Sequence, residues 1–133
     1  MSPEKRILVV DDDADIAGMA ALVLRRAGYQ VTTVNSGDAA LVQAAQVSYD
    51  LILLDINMPG MDGWEVLRVL KADDSTATTP VAMFTVRGEV RDKVHGLQEG
   101  AFDYITKPFS VDELRERVAL ILSRNSATAT QGS

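Results

Sequence analysis

Two solidly apolar tetrapeptides, ILVV at 7–10 and LILL at 51–54, constrain this chain more than any other feature. A strand with one wet face alternates apolar and polar residues. A run that is apolar throughout is buried on both faces, as in a parallel sheet covered by helices. Three further short runs read as strands: 30–34, β-branched and ending at Asn35-Ser36-Gly37; 81–84, directly after Pro80; and 104–106. Between the runs the apolar period becomes helical. Ile16, Ala20, Val23, Leu24 and Ala27 share a face before Gly28. Leu41, Ala44 and Ala45 follow a Ser36 cap, and Val66, Leu67 and Leu70 follow Asp62. Val90, Val94 and Leu97 precede Gly100, and Val111, Leu114, Val118, Ile121 and Leu122 follow Ser110. Caps and terminating glycines stand where helix ends need them. A β-α unit repeated five times predicts an α/β fold, a doubly wound five-stranded parallel sheet with right-handed crossovers.

The bulk properties narrow the function classes. The 133 residues fit one domain, expected over 1–124, and the small polar segment NSATATQGS at 125–133 reads as a disordered tail or the start of a linker. Thirteen Lys and Arg against nineteen Asp and Glu give a net charge of −6. A surface without a cationic face cannot displace counterions from phosphates, so direct nucleic-acid binding by this domain is not expected. There is no cysteine, which removes disulfides and thiolate metal sites and suits a reducing cytoplasm. No apolar stretch suits a signal-peptide core or a membrane span, and a cytoplasmic location without membrane attachment is expected.

The chemistry collects after the strands. Open parallel sheets bind ligands beyond the carboxyl ends of their strands, where strand order reverses. The first strand is followed by Asp11, Asp12 and Asp13; the third ends in Asp55, the fourth in Thr85, and the fifth is followed by Lys107-Pro108. The second ends in the bland Asn35-Ser36-Gly37. In a sheet of order 2-1-3-4-5 the acids, the hydroxyl and the amine meet on one rim. Clustered carboxylates repel unless a cation neutralises them. With no His or Cys nearby, oxygen donors favour Mg²⁺ (or Mn²⁺) over Zn²⁺. A nucleophilic carboxylate, a metal, a mobile ammonium and a hydroxyl make a phosphoryl-transfer set. Asp13 is expected only to cap the helix after it. His95 reads as a surface residue, and Trp64 as helix packing beside the loop 58–63.

ILVVDDD at 7–13, LILLDINMPGMDG at 51–63, FT at 84–85 and YITKPF at 104–109 resemble the receiver domains of two-component response regulators. Four separated motifs, in order and each after its own strand, make this specific, and it spans about residues 5 to 123. The resemblance implies the flavodoxin-like (βα)5 fold. It implies Asp55 as phosphoacceptor, taking a phosphoryl group from a sensor histidine kinase or phosphotransfer protein. Mg²⁺ would be held by Asp12, Asp55 and the backbone carbonyl of Asn57, with Asp11 acting mainly through an ordered water. Lys107 would bind the phosphoryl group, and the bond before Pro108 would be cis. Thr85 and Tyr104 match the family's switch pair, which remodels the face of the fourth helix, fifth strand and fifth helix for an output domain or protein, or for a phosphorylation-dependent homodimer. Such a domain is a signalling module, not an enzyme beyond its own phosphorylation and dephosphorylation.

Two positions depart from the family's commonest pattern: Val86, where a small residue is frequent, and Arg87. Both bear on access to the phosphoryl group. Two other functions remain open at this stage. Asp11 and Asp13 form a D-x-D after an apolar strand, faintly like haloacid-dehalogenase-type phosphatases, in which Asp11 would be the nucleophile and Asp55 would have no role. A receiver fold can also serve as a passive docking surface, which the complete acidic set argues against.

Overall fold

A computed structural model describes residues 4–86 and 100–131, with side chains described over 4–84 and 100–124. The elements run β1 (Arg6–Val10), α1 (Ala14–Arg26), β2 (Gln30–Val34), α2 (Gly37–Gln46), β3 (Leu51–Asp55), α3 (Gly63–Ala72), β4 (Val81–Val86), β5 (Asp103–Lys107) and α4 (Val111–Gln131). All five expected strands are present in one parallel sheet of order β2-β1-β3-β4-β5. The helix expected around Val90, Val94 and Leu97 lies outside the described residues, as do Arg87 and His95.

The apolar runs are continuous because both faces of the sheet are covered. Odd and even residues of the central strands feed two separate cores. Ile7, Val9, Leu51, Leu53, Phe84 and Ile105 pack with Ala17, Ala20 and Leu24 of α1 and Leu114, Val118 and Ile121 of α4. Leu8, Val10, Ile52, Leu54 and Met83 pack on the other side with Ala40 and Ala44 of α2 and Val66, Leu67 and Leu70 of α3. Each large side chain sealed in this way stabilises the fold by roughly 1.5–3 kcal/mol relative to exposure.

The helix starts are set by short side-chain acceptors. Asp13 Oδ1 accepts from the backbone N–H groups of Asp15 and Ile16 at 3.0 and 3.3 Å. Ser36 Oγ accepts from Ala39 at 3.1 Å, Asp62 Oδ1 from Glu65 at 3.0 Å, and Ser110 Oγ from Glu113 at 3.1 Å. Each satisfies an amide that the first turn leaves without a helical partner. Asp13 is thus a cap, as its position before Ala14 suggested.

Details differ from the sequence reading. On α1 the sealed residues include Ala17 and Ala21, while Ala27 is exposed; on α2 it is Ala40, not Ala45, that faces the core. Alanine carries so little apolar signal that the pattern fixes an alanine-rich face only to within one position. The backbone of α4 is helical from Val111 to Gln131. Once Leu114, Val118 and Ile121 anchor the helix, each added residue gains a hydrogen bond without a new nucleation cost.

Candidate functional site

The sheet order puts β1 at the point where the chain reverses direction across the sheet, with β2 on one side and β3 on the other. The ends of β1 and β3 are therefore neighbours, and β4 and β5 complete the rim. Asp11, one residue past β1, is fully buried, and Asp55, the last residue of β3, is 6 % exposed. Asp12 is exposed beside them. Carboxylate oxygens of all three lie within 4.8 Å of one another.

Lys107, the last residue of β5, reaches across this cluster. Its Nζ donates to Asp11 Oδ2 at 2.8 Å and to Asp55 Oδ1 at 3.3 Å. Of the two, the contact to the fully buried Asp11 is the shorter. Asp11 is fixed further by accepting at Oδ1 from the backbone N–H of Asp13 at 3.0 Å. Residues 44 and 96 positions away in sequence from Asp11 thus meet it through the strand register; the peptide between Lys107 and Pro108 is cis.

Electrostatics distinguish the two buried acids from a solvated cluster. Burial pushes the Asp55 carboxyl up, and the charge of Asp11 pushes it further; the attraction of Lys107 only partly offsets them, leaving Asp55 at about 6 rather than 3.8. Burial pulls the Lys107 ammonium down, but its hydrogen bond to Asp11 and the charges of both carboxylates outweigh that, and the net direction is up. Three carboxylates facing one ammonium leave an excess of negative charge in a partly desolvated pocket. The donors are all oxygen, and one from each of the three carboxylates lies within 4.8 Å of the others, close enough to share one small ion. The residues fit a small hard divalent cation.

Phe84, Phe109 and Gly63 shape the surroundings of Lys107 and Asp55. The Lys107 ammonium lies 5.4 Å from the centroid of the Phe84 ring, and Phe84 stacks on Phe109 with centroids 5.4 Å apart. The aromatic pair gives the lysine an apolar floor and a cation–π partner. Gly63, the first residue of α3, donates its N–H to the Ile56 carbonyl at 2.9 Å. A Cβ there would overlap the Asp55 carbonyl oxygen, so only glycine lets α3 start directly against the end of β3.

The remaining expected residues are placed less completely. Tyr104 is half-buried against the α2–α3 core. Thr85 stands opposite Thr106 in the β4–β5 register, one residue beyond the Asp55–Phe84 pair; its side chain, and that of Val86, lie outside the described residues. Trp64 is half-buried and packs on the α2–α3 core beside the loop that follows Asp55.

The family described as the response regulator receiver domain matches residues 7–119. The chain is 46 % identical over 121 residues to the DNA-binding response regulator MtrA of Mycobacterium tuberculosis, covering 91 % of this chain and 52 % of that protein. It is 42 % identical over 119 residues to the DNA-binding dual master transcriptional regulator RpaA of Synechocystis, covering 90 % of this chain and 49 % of that protein. The chain thus spans about half the length of these curated relatives. Among solved structures, the chemotaxis response regulator CheY4 of Vibrio cholerae superposes with a TM-score of 0.85 at 31 % identity, covering 90 % of this chain and 99 % of that one. Fold, rim geometry and kinship agree: this chain belongs to the response regulator receiver domain family.

Proposed function

We propose that this receiver domain takes a phosphoryl group on Asp55 in a Mg²⁺-dependent reaction. The observation that carries the reading is the Lys107 ammonium held between the buried carboxylates of Asp11 and Asp55. A carboxylate kept largely ionised near neutral pH, but raised by burial, is a usable nucleophile. An Asp55 oxygen attacks phosphorus; the new O–P bond forms as the P–N bond of a phosphohistidine breaks, and the imidazole leaves and takes up a proton. The donor is a sensor histidine kinase or a phosphotransfer protein. Asp11, Asp12, Asp55 and the Asn57 carbonyl would hold the metal, Asp11 mainly through an ordered water. When bound, the cation neutralises the acidic cluster and the charge that develops on the transferring group. Lys107 exchanges its weaker contact, to Asp55, for a phosphoryl oxygen while keeping Asp11.

Thr85 and Tyr104 serve as the switch pair. Drawing the Thr85 hydroxyl toward the new anion favours one arrangement of the face that includes β5 and α4. That face then meets an output domain or protein, or a second copy of the domain. Inverting a 1:99 population needs about 5.5 kcal/mol of differential interaction, more than one charge-assisted hydrogen bond supplies, so the Lys107 contact has to contribute. Val86 and Arg87 bear on how fast donors and water reach the group. The domain, over 1–124, signals rather than turns over substrate. The two curated relatives are named as DNA-binding regulators; with a net charge of −6, any such binding belongs to an output partner and not to this domain. A cytoplasmic setting suits both the chemistry and the composition, and no helix among the described residues is long and apolar enough to cross a membrane.

The phosphatase reading is weaker here, since Asp13 is committed to capping α1 and Asp11 is sealed beneath Lys107. The test is labelling by phosphorylated kinase and by phosphoramidate, on wild type and Asp55→Asn, with Mg²⁺ and with chelator. Label on wild type alone, and only with metal, is expected. Label that persists in Asp55→Asn, or sustained phosphomonoester hydrolysis that depends on Asp11 but not Asp55, would overturn the reading.

A further inference from the structure

The turn after β2, bland in sequence, touches the phosphoacceptor loop. Gly37 is the first residue of α2 and is buried. Its backbone is not in the left-handed region; the only positive-φ glycines among the described residues are Gly28, Gly60 and Gly100. Conformational freedom is therefore not what this position needs. Space is. A Cβ on Gly37 would meet Val66 Cγ2 at 2.7 Å and both the Cβ and the carbonyl oxygen of Met61 at 3.1 Å. Val66 is fully buried in α3, so it has little room to withdraw. Met61 belongs to the loop 57–62 that joins Asp55 and Ile56 to α3.

That loop is closed at its other end by the contact already described. Gly63 donates to the Ile56 carbonyl, and its missing Cβ is filled by the Asp55 carbonyl. Two glycines on different elements therefore grip one loop: Gly63 ties its end back to Ile56 and Asp55, and Gly37 abuts it at Met61. The loop cannot shift at Met61 without moving relative to α2, and it cannot shift at Ile56 without moving Asp55. We propose that Gly37 is a positioning residue for phosphoryl acceptance: by letting α2 start directly against Met61 and Val66, it sets the position of the loop carrying Asn57, and so the geometry of the metal and of Asp55. The inference rests on the reading of Asp55 as phosphoacceptor and extends it to an element that supplies no group to the rim.

Gly37→Ala adds one methyl in a backbone region that alanine readily adopts, so any effect comes from the push on Met61 and Val66. Small displacements are costly at a site that holds reacting atoms near attack distance. Gly18→Ala is the matched control: Gly18 lies within α1, and a Cβ there meets nothing within 4 Å. Trp64 is the one tryptophan in the chain, and it sits beside the loop. Its fluorescence during Mg²⁺ titration reads the metal site without phosphotransfer.

The experiment measures Mg²⁺ half-saturation by Trp64 fluorescence, the phosphoramidate labelling rate and the thermal midpoint for wild type, Gly37→Ala, Gly18→Ala, Val66→Ala and the Gly37→Ala/Val66→Ala double variant. Gly37→Ala is expected to raise the Mg²⁺ half-saturation and slow labelling by about tenfold, while Gly18→Ala matches wild type in both. Removing Cγ2 at position 66 should return the double variant to within about twofold of Val66→Ala in both readouts, because the tightest overlap is gone. The proposal is overturned by a Gly37→Ala protein that loses only thermal stability while metal affinity and labelling stay at wild-type values. It is equally overturned by a double variant no better than Gly37→Ala. Failure of the underlying reading looks different: wild type itself would then show no Mg²⁺-dependent label.

Discussion

Two half-buried lysines stand at opposite ends of the sheet, and their surroundings differ in kind. Lys107, at the carboxyl end of β5, donates to two carboxylates. Lys71, near the end of α3, donates to two backbone carbonyls, of Ala77 at 3.1 Å and Thr79 at 2.9 Å, in the connection that leads into β4. Burial pulls both ammonium groups down. For Lys71 nothing reverses it, and its pKa is lowered; for Lys107 the anions do, and its pKa is raised. The same residue type at similar depth is a structural pin where its acceptors are neutral, and a charge available for exchange where they are anions. At the pin, Thr76 Oγ1 also donates to the Leu70 carbonyl at 2.6 Å, so the connection is fixed by hydrogen bonds to the backbone and not by a cluster of like charges. At the rim, the excess of negative charge is what a phosphoryl group and a metal would relieve.

The sharpest way to break this comparison is Lys107→Met. It should slow phosphoramidate labelling by about 10²–10³-fold, the scale of losing one preorganised charge-stabilising donor. It should also lower metal-free stability at pH 7.5 by about 2–3 kcal/mol, because two buried carboxylates lose their counter-charge, partly screened by solvent. Labelling within threefold of wild type would mean the lysine is ornamental.

Asp55→Asn comes next, read as stability without metal. The folded pKa of Asp55, about 6, lies above its ordinary 3.8. The fold therefore binds this proton more tightly than the unfolded chain does. The corresponding stability is fully present below pH 3.8 and is lost as pH rises through 6. Asn keeps the shape without the charge, so at pH 7.5 the metal-free variant should be the more stable protein, by up to about 3 kcal/mol. The two should converge toward pH 4. Thermal midpoints at pH 4.5 and 7.5 check this, and a variant less stable than wild type at pH 7.5 would contradict it.

Lys71→Met should cost about 1 kcal/mol, the net value of carbonyl hydrogen bonds offset by removal of a desolvated charge. It should leave the labelling rate unchanged; a tenfold loss of labelling would erase the distinction between the two lysines. The smallest expected effect is on the alkaline side. Lys71, with its folded pKa lowered, favours the fold increasingly as pH rises toward 10.5; Lys107, with its pKa raised, contributes stability that is present below 10.5 and lost above it. Chemical denaturation of the two Met variants between pH 8 and 11 should show opposite departures from the wild-type slope.

Much of this was legible beforehand. The strands were visible because residues 7–10 and 51–54 are buried on both faces, and the caps because Asp13, Ser36, Asp62 and Ser110 act on amides two or three residues away. The meeting of Asp11, Asp55 and Lys107 followed from strand order alone. Less visible were features with no side chain to announce them: Gly37 and Gly63 matter through atoms they lack. Phe84 and Phe109 stand in two separate motifs, and only the sheet brings them together beside Lys107. The alanine-rich faces of α1 and α2 were misplaced by a position because alanine is compatible with either side of a helix.

Local sequence determined what depends on near neighbours: the period of apolar residues, the helix caps, and the supply of an acid or amine at each strand end. The tertiary structure decided what depends on how those ends pack. It chose Asp11 as the closer partner of Lys107, buried that acid while leaving Asp12 in solvent, and raised the pKa of Asp55 through burial and the charge of Asp11. Such quantities are sums over groups far apart in the chain, and a coulombic or steric term between them has no value until the fold sets the distance.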